Sequence, residues 1–175
     1  MFKRTILLAT ALVLMVIVSG CGQKNLTERQ MEKALEDSLG GNAKVNLNNN
    51  EVNIETDQGS MNYGENVKLP NDFPKDIYLI DGQIMSVTEN FMGAKYQVMI
   101  KSDASVSDAK DLYESKLKEE GWAITSSFNM GTAAMLSANK GDQQLSVTLG
   151  TEEEKDGMAV VLTLTDSTSQ MPMTR

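Results

Sequence analysis

The feature that most constrains the fold is a series of short segments in which apolar and polar residues alternate, separated by turns rich in glycine and asparagine. A period of two is typical of a strand with one buried face. In a hairpin the turn length sets the register, and a slip of one residue would move every apolar side chain to the other face. The turns therefore indicate which apolar residues can share a core.

Six alternating segments follow residue 82, and we expect strands near 84–90, 95–101, 122–128, 132–139, 143–150 and 157–165. The predicted hairpin turns include Met92-Gly93 and a three-residue turn at 129–131. These turns place the following apolar pairs on one face without a slip: Val87 with Val98, Met85 with Ile100, Ile124 with Leu136, Trp122 with Ala138, Leu136 with Val147, Ala138 with Leu145, Val147 with Leu162, and Leu149 with Val160.

A helix is predicted between the second and third of these strands. Ser105 caps its start, with Asp108 three residues further on, and Gly121 ends it. The stripe predicted to be buried comprises Val106, Ala109, Leu112, Tyr113 and Leu117. The element order from 83 to 165 is then ββαββββ, which favours a two-layer α+β arrangement of one antiparallel sheet and one helix.

A smaller unit precedes this one. A helix over 28–39 leads into a three-stranded meander, whose turns place its apolar residues on one face that the helix can cover. The predicted pairs are Leu47 with Val52, Val45 with Ile54, Ile54 with Met61, and Val52 with Tyr63. The asparagine-rich stretch 46–53 fits turns and solvated strand faces better than a calcium or sugar site.

The segment 65–82 holds two of the three prolines and is interpreted as an extended connector, with a short strand at 77–80. The whole chain is then α+β. The predicted organisation is 1–20 signal peptide, 21–26 lipidated tether, 27–64 helix and meander subdomain, 65–82 connector, 83–165 sheet and helix domain, and 166–175 disordered tail.

The amino-terminal segment has the layout of an export signal. Lys3 and Arg4 precede an apolar run at 6–18, and two small residues then lead to Cys21. As a helix, this run would span about 20 Å, which is too short for a hydrocarbon core of about 30 Å. A permanent membrane span is therefore not expected here.

The stretch Val18-Ser19-Gly20-Cys21 resembles the lipobox of bacterial lipoproteins. The resemblance implies cleavage before Cys21, a diacylglycerol on its sulfur and, in many members, a further acyl chain on the new amino end. It also implies a lipid-anchored protein on the outer side of the cell membrane, or at the outer membrane of a cell with two. The layout with its "LPNDFPKDI" connector is similar to small bacterial lipoproteins of unassigned function. An ordinary secreted protein with an incidental cysteine is the alternative.

Composition excludes several classes of function. The chain has no histidine and a single cysteine, which argues against zinc sites and against Ser-His or Cys-His catalysis. Without residues 1–20 the net charge is 14 − 24 = −10, which is unsuited to nucleic acid. We therefore expect no cofactor and no metal, apart from the covalent lipid on Cys21. The expected partners are the membrane, through that lipid, and another envelope protein.

Two features are candidate contact surfaces. The second face of the sheet mixes small hydroxyl residues with Met99 and Met135, and it binds a partner, is covered by the amino-terminal subdomain, or is simply solvated. The residues predicted on this face are Thr88, Met99, Thr125, Ser127, Ala133, Met135, Ser146, Thr148, Ala159, Val161 and Thr163. Two hairpin tips each place phenylalanine and methionine beside a turn glycine, either exposed to a partner or folded over the core; these residues are Phe91, Met92, Phe128 and Met130.

The function predicted from these observations is a non-catalytic binding or structural role in the cell envelope. The alternative is a carboxylate-dependent hydrolase acting on an envelope or extracellular substrate, since Asp and Glu are abundant. The acidic loop 151–157 lacks the ligand spacing of a calcium loop and is interpreted as a solvated hairpin loop. A deep pocket with two facing carboxylates would favour the enzyme, whereas a flat sheet face or exposed apolar tips would favour the binding protein.

Overall fold

The computed structural model describes residues 26–39, 42–48, 51–91, 93–151 and 157–166. Within these residues the helices are α1 (Leu26–Leu39) and α2 (Val106–Glu119). The strands are β1 (Lys44–Asn48), β2 (Glu51–Glu55), β3 (Ser60–Tyr63), β4 (Gln83–Phe91), β5 (Ala94–Ser102), β6 (Ala123–Asn129), β7 (Ala133–Lys140), β8 (Gln143–Thr151) and β9 (Met158–Asp166). The predicted signal peptide, Cys21, Met92, most of the acidic loop and most of the tail lie outside the described residues.

All nine strands belong to one antiparallel sheet, in the order β1-β2-β3-β4-β5-β9-β8-β7-β6. A large antiparallel sheet with two helices is an α+β fold, so the predicted fold class is confirmed at that level. The sheet continues from the meander into the later strands, because β3 pairs with β4 between Ser60–Glu89 and Tyr63–Ser86. All four apolar pairs predicted for the meander are confirmed.

Helix α1 is held at the outer edge of the sheet. The Glu36 carboxylate accepts a hydrogen bond from the Val45 backbone N–H at 3.1 Å, and the Glu32 carboxylate accepts one from Leu47 at 2.9 Å. An edge strand presents unpaired N–H groups. Residues four apart lie on the same side of a helix, so Glu32 and Glu36 can each reach one of two outward N–H groups that are two residues apart on β1. The sequence predicts that α1 covers the apolar face of the meander. These bonds fix the helix to β1, and Val45 and Ile54 on that face are buried.

Five of the eight apolar pairs predicted for the later strands are confirmed, and the other three are wrong. Ile84, and not Met85, lies opposite Ile100, because the register shifts between Ile84 and Ser86. A second shift, between Ile124 and Ser126, places Ile124 opposite Ala138 and Ser127 opposite Leu136, and Trp122 precedes the strand. Each β-bulge adds one residue to one strand, which a rule based on turn length alone does not anticipate.

The turn between β6 and β7 also differs from the prediction. The Met130 N–H bonds to the Ala133 carbonyl at 2.8 Å and Asn129 pairs with Ala134, so the turn is centred on Gly131-Thr132 and not on Met130. This displacement of the turn changes the register of β6 relative to β7 before the bulge is reached. By contrast, the β7–β8 hairpin has the predicted pairing of Leu136 with Val147 and of Ala138 with Leu145.

Helix α2 covers one part of the sheet. Ser105 caps it as predicted, its hydroxyl accepting the Asp108 N–H at 3.1 Å, and the helix packs on β6, β7 and β8. The buried residues of the helix are Val106, Ala109, Tyr113 and Leu117. The predicted burial of Leu112 is wrong: it is 37% exposed. Leu112 lies at the flank of the apolar stripe, where the curvature of a helix turns side chains away from a flat sheet.

The connector covers the rest of the same face. Ile77 and Ile80 are buried in the core, and Phe73, Tyr78 and Leu79 pack against it. The predicted strand at 77–80 is absent, and residues 77–80 are among those that the structure describes. The residues before them form two turns, in which the Phe73 N–H bonds to the Pro70 carbonyl and the Ile77 N–H bonds to the Pro74 carbonyl. The connector is therefore a packed structural element and not a solvated linker.

Three polar contacts fasten the connector. The Ile80 N–H donates to the Tyr113 hydroxyl at 3.3 Å, and the Trp122 indole N–H donates to the Asp76 carbonyl at 3.0 Å. Lys140 pairs with the Asp76 carboxylate at 2.6 Å. Burial raises the pKa of Tyr113 well above its ordinary value, so the hydroxyl stays neutral. We call the side of the sheet under α2 and the connector the core face, and the opposite side the open face.

Replacing Tyr113 with phenylalanine tests the attachment of the connector. Tyr113→Phe leaves the buried Ile80 N–H without its acceptor, and we expect the free energy of unfolding to fall by about 1–3 kcal/mol. Urea unfolding measures the change as a shift of the midpoint at constant slope. The control, Tyr78→Phe, alters a half-buried neighbouring ring and should change stability by less than about 0.5 kcal/mol. Equal effects of the two variants would contradict this account.

A second prediction concerns the edge of β1. In the double variant Glu32→Ala/Glu36→Ala, the Val45 and Leu47 N–H groups lose their charged acceptors. Hydrogen bonds to charged groups contribute about 1.5–3 kcal/mol, so we expect these amides to exchange with deuterium at least about tenfold faster. Lys33→Ala, on the exposed side of the same helix, is the control. Unchanged exchange at both amides would show that the carboxylates do not hold α1 at the edge.

Candidate functional site

A row of side chains crosses the open face through all nine strands. The strand registers align its members directly opposite one another, and seven of the nine are apolar or aromatic. We call it the Met99 row: Leu47, Val52, Tyr63, Ser86, Met99, Val161, Thr148, Met135 and Phe128. Because side chains alternate along each strand, this row lies on the side opposite to the buried Val98, Val147 and Leu162.

A second row runs beside the first and has a different character. Its half towards β6 carries small hydroxyl groups, and the Thr163 hydroxyl accepts a hydrogen bond from the Gln97 amide at 3.2 Å. We call it the Thr163 row: Val45, Ile54, Met61, Thr88, Gln97, Thr163, Ser146, Ser137 and Ser126. Neither row carries a charged side chain, so together they form an uncharged strip across an acidic protein.

Exposure increases along the strip towards β6. Val45, Ile54 and Thr88 are buried and Met99 is half-buried, whereas Met135 is 42% and Phe128 is 60% exposed. The accessible part of the strip therefore lies on β5, β9, β8, β7 and β6, where apolar and hydroxyl side chains alternate between neighbouring rows. This composition suits contact with a surface that is itself weakly charged.

The structure brings some of the predicted contact residues together and separates others. Met99 and Met135 lie in one row, with Val161 and Thr148 between them. Ser127, predicted on the same face, lies on the core-face side of β6, where its hydroxyl is 3.4 Å from a Glu114 carboxylate oxygen. The bulge next to Ser126 accounts for that difference.

The β6–β7 hairpin carries an exposed apolar cluster, which we call the β6–β7 patch. Phe128 lies directly opposite Met135, and Met130, in the turn, is 73% exposed. The other predicted tip is separate from it. Phe91 is half-buried and pairs with Ala94, the first residue of β5. The two hairpin tips therefore do not form one contact surface.

A shallow groove of about 480 Å³ lies on the connector. Its lining is mostly apolar and comprises Leu69, Pro70, Asn71, Phe73, Pro74, Lys75, Ile77, Tyr78 and Leu79. The groove is formed by neighbouring residues of one segment and is wide open to solvent, so it does not enclose a ligand. The sequence did contain a signal for this packed segment, because large apolar residues and two prolines are unusually dense for a linker.

Titratable groups do not converge into a catalytic arrangement within the described residues. The buried polar side chains there are Ser86, Thr88 and Ser102, and no group of three potential metal ligands is found among the same residues. Lys118 and Lys110 lower the pKa of Glu114 along the surface of α2. Burial, together with a hydrogen bond from Tyr96 to Asp72, raises the pKa of Tyr96 to about 12, so this hydroxyl keeps its proton at neutral pH.

Comparison with known proteins gives one match. A family model described as START domain-like matches residues 83–167, which is 85 of 175 residues and covers β4, β5, α2 and every later strand. No curated protein and no solved structure matches the chain. Within the described residues, neither helix is long and apolar enough to cross a membrane. The match suggests a ligand-binding domain and not an enzyme.

Proposed function

We propose that this protein is a lipid-anchored lipoprotein on the outer side of a cell membrane, and that its folded part binds a partner without catalysis. The observation that carries the binding function is the uncharged strip on the open face, which α2 and the connector leave uncovered. The START domain-like match supports a ligand-binding role for the same segment.

The anchor rests on the amino-terminal sequence. The Val18-Ser19-Gly20-Cys21 stretch supplies a cysteine at the position where lipoproteins carry a diacylglycerol. Each buried CH₂ contributes about 0.8 kcal/mol, and stable anchoring takes two acyl chains, which a diacylglycerol provides. The acidic mature chain is repelled by anionic lipid headgroups, so the acyl chains supply the attachment.

The two faces of the sheet differ in how much of their surface is accessible to a partner. On the core face, Val98, Leu136 and Leu149 are essentially fully buried, so this face has no room for a ligand. On the open face, Met135 and Thr148 are exposed, and the hydroxyl groups of the Thr163 row add hydrogen-bonding capacity beside them. The complementary partner is an envelope protein that presents an uncharged, partly apolar surface.

A carboxylate-dependent hydrolase would need two carboxylates facing each other across a cleft. The ion-paired carboxylates of α2 serve a different purpose: Glu114 binds Lys110 and Lys118, and Glu119 binds Lys116, all on the helix surface. Such pairs between exposed groups contribute little to stability and organise no reaction. The geometry therefore supports the binding function better.

The anchor predicts a specific effect of Cys21→Ser. Without the sulfur, the precursor receives no diacylglycerol, and we expect it to remain uncleaved and to carry no label in cells fed a radioactive fatty acid. Electrophoresis with autoradiography measures both effects. The control is Ser19→Ala, which keeps a small residue before the cysteine and should leave labelling intact. Undiminished label on the Cys21→Ser protein would refute the anchor.

The open face is tested with a photoreactive amino acid at Val161 in intact cells. We expect a discrete crosslinked adduct with the partner, and we expect Met99→Lys/Met135→Lys to abolish it, because each lysine introduces a charge that must be desolvated at the interface. Leu112→Lys alters an equally accessible apolar residue on α2 and should leave the adduct unchanged. Circular dichroism confirms that each variant folds.

An adduct that persists in the double lysine variant would show that the open face is not the binding surface. A probe at Leu112 that gives the same adduct as the probe at Val161 would have the same meaning, because Leu112 lies on the other side of the sheet.

A further inference from the structure

The two edges of the sheet are protected differently. At one end, α1 lies along β1, and Glu32 and Glu36 accept its outward N–H groups. At the other end, β6 pairs with β7 and contacts α2, but no described helix or strand pairs with its outer edge. An edge strand without charges, proline or a cover is a template for pairing with another strand.

The hairpin at this edge is also free of charge. Residues 121–139 include no Asp, Glu, Lys or Arg, although 23% of the chain is charged. Glu114, which lies beside Ser127, is itself paired with Lys110 at 3.3 Å and Lys118 at 2.7 Å. Although the chain without residues 1–20 has a net charge of −10, pairing through this hairpin places no charged side chain of residues 121–139 against another.

The hydrogen bonds of the turn show which backbone groups of β6 point outwards. Met130 bonds to Ala133, and bonded and non-bonded pairs alternate along an antiparallel ladder. Phe128 and Ser126 therefore bond to β7, and the N–H and C=O groups of Ser127 and Asn129 point away from the sheet. This stretch lies beyond the bulge, so it is regular enough to accept a partner strand.

We infer that two copies of this chain pair through their β6 strands, antiparallel and across a twofold axis that places Phe128 opposite Phe128 of the second copy. In this register Ser127 and Asn129 of one copy exchange N–H···O=C bonds with Asn129 and Ser127 of the other. Phe128 occupies a close, non-hydrogen-bonded pair, in which Cα atoms are about 4.5 Å apart. The Met99 row then continues from one copy into the next.

The same geometry favours a second copy over other occupants of the edge. A lipid surface would bury Phe128 and Met130 but would leave the outward N–H groups of Ser127 and Asn129 without acceptors in hydrocarbon. A twofold pairing satisfies those groups and covers Phe128, which is 60% exposed, with an aromatic partner. The inference does not depend on which partner the open face binds.

Disulfide trapping in the full chain, in its own membranes, tests the register. In Phe128→Cys, the two introduced thiols face each other across the axis, and we expect mild oxidation to give a dimer of twice the mass on a non-reducing gel. In Met135→Cys, the thiols lie three strand spacings apart, about 14 Å, which exceeds the disulfide limit of about 7 Å. We expect this control to crosslink at least tenfold more slowly. The unaltered chain reports any contribution of Cys21.

Several results would overturn the inference. Equal crosslinking rates for the Phe128→Cys and Met135→Cys chains would indicate random collision. A Phe128→Cys adduct of another mass would show that a different protein, and not a second copy, occupies the edge. Sedimentation in detergent measures the dissociation constant of the dimer. We expect this constant to be at least tenfold higher for Phe128→Lys than for the unaltered chain, and to be unchanged for Leu112→Lys. A purely monomeric parent chain would also reject the pairing.

Failure here is distinguishable from failure of the proposed function. If Cys21 carried no lipid, the unaltered chain would itself crosslink through its free thiol, while the difference between the Phe128→Cys and Met135→Cys chains would persist. If the open face bound no partner, the Val161 adduct would be missing without any effect on the trapped dimer.

Discussion

The structure depends on covering one wide apolar face of a sheet. A helix is about 10 Å across and strands are about 4.8 Å apart, so one helix covers two or three strands. Helix α2 accordingly packs on β6, β7 and β8. The part of the core face around Val87 and Val98 needs another cover, which the connector supplies with Ile77 and Ile80. Because both covers are used on one face, the opposite face stays accessible on the strands towards β6, where Met135 and Phe128 are exposed.

The meander places its apolar residues on the other side of the sheet. Val87 on the core face pairs with Asn62. The same row of paired residues continues across the meander with Asn53 and then Asn46. Asn46 is exposed and Asn53 and Asn62 are half-buried, so these side chains keep access to solvent, which accounts for their polarity without a bound ion or sugar. The alternate residues of the meander, such as Val52 and Ile54, face the open side and extend its apolar strip. One sheet thus carries two apolar surfaces on opposite sides.

Much of this fold can be predicted from the sequence where turns are tight. Pairs such as Val45 with Ile54 and Leu136 with Val147 follow from turn length and alternation alone. Met85 and Trp122 depart from the predicted pairs because a bulge, or a turn centred further along the chain, produces no distinct pattern of apolar residues. The packing of the connector was missed because its residues follow no period, even though they are apolar.

The candidate site could be predicted only in part, for a related reason. Alternation assigns Met99 and Met135 to the same face, and both do lie there. Their alignment in one row, however, requires β5 to pair with β9, whose residues lie about sixty positions further along the chain. Contacts between strands that are distant in sequence depend on the packing of the whole core, which local patterns do not encode. The continuous row was therefore visible only in the structure.

The two sheet edges give the molecule a direction. Helix α1 begins at Leu26, five residues after the proposed lipidated cysteine, and it occupies the edge of β1. The edge next to the anchor is thus closed to further strands, and growth of the sheet is directed to β6. Confinement to a membrane raises the effective concentration of copies, so a short strand pairing that is weak in free solution becomes significant there. The proposed anchor on Cys21 and the proposed pairing through the uncharged β6 are therefore complementary, since both would favour assembly on a surface.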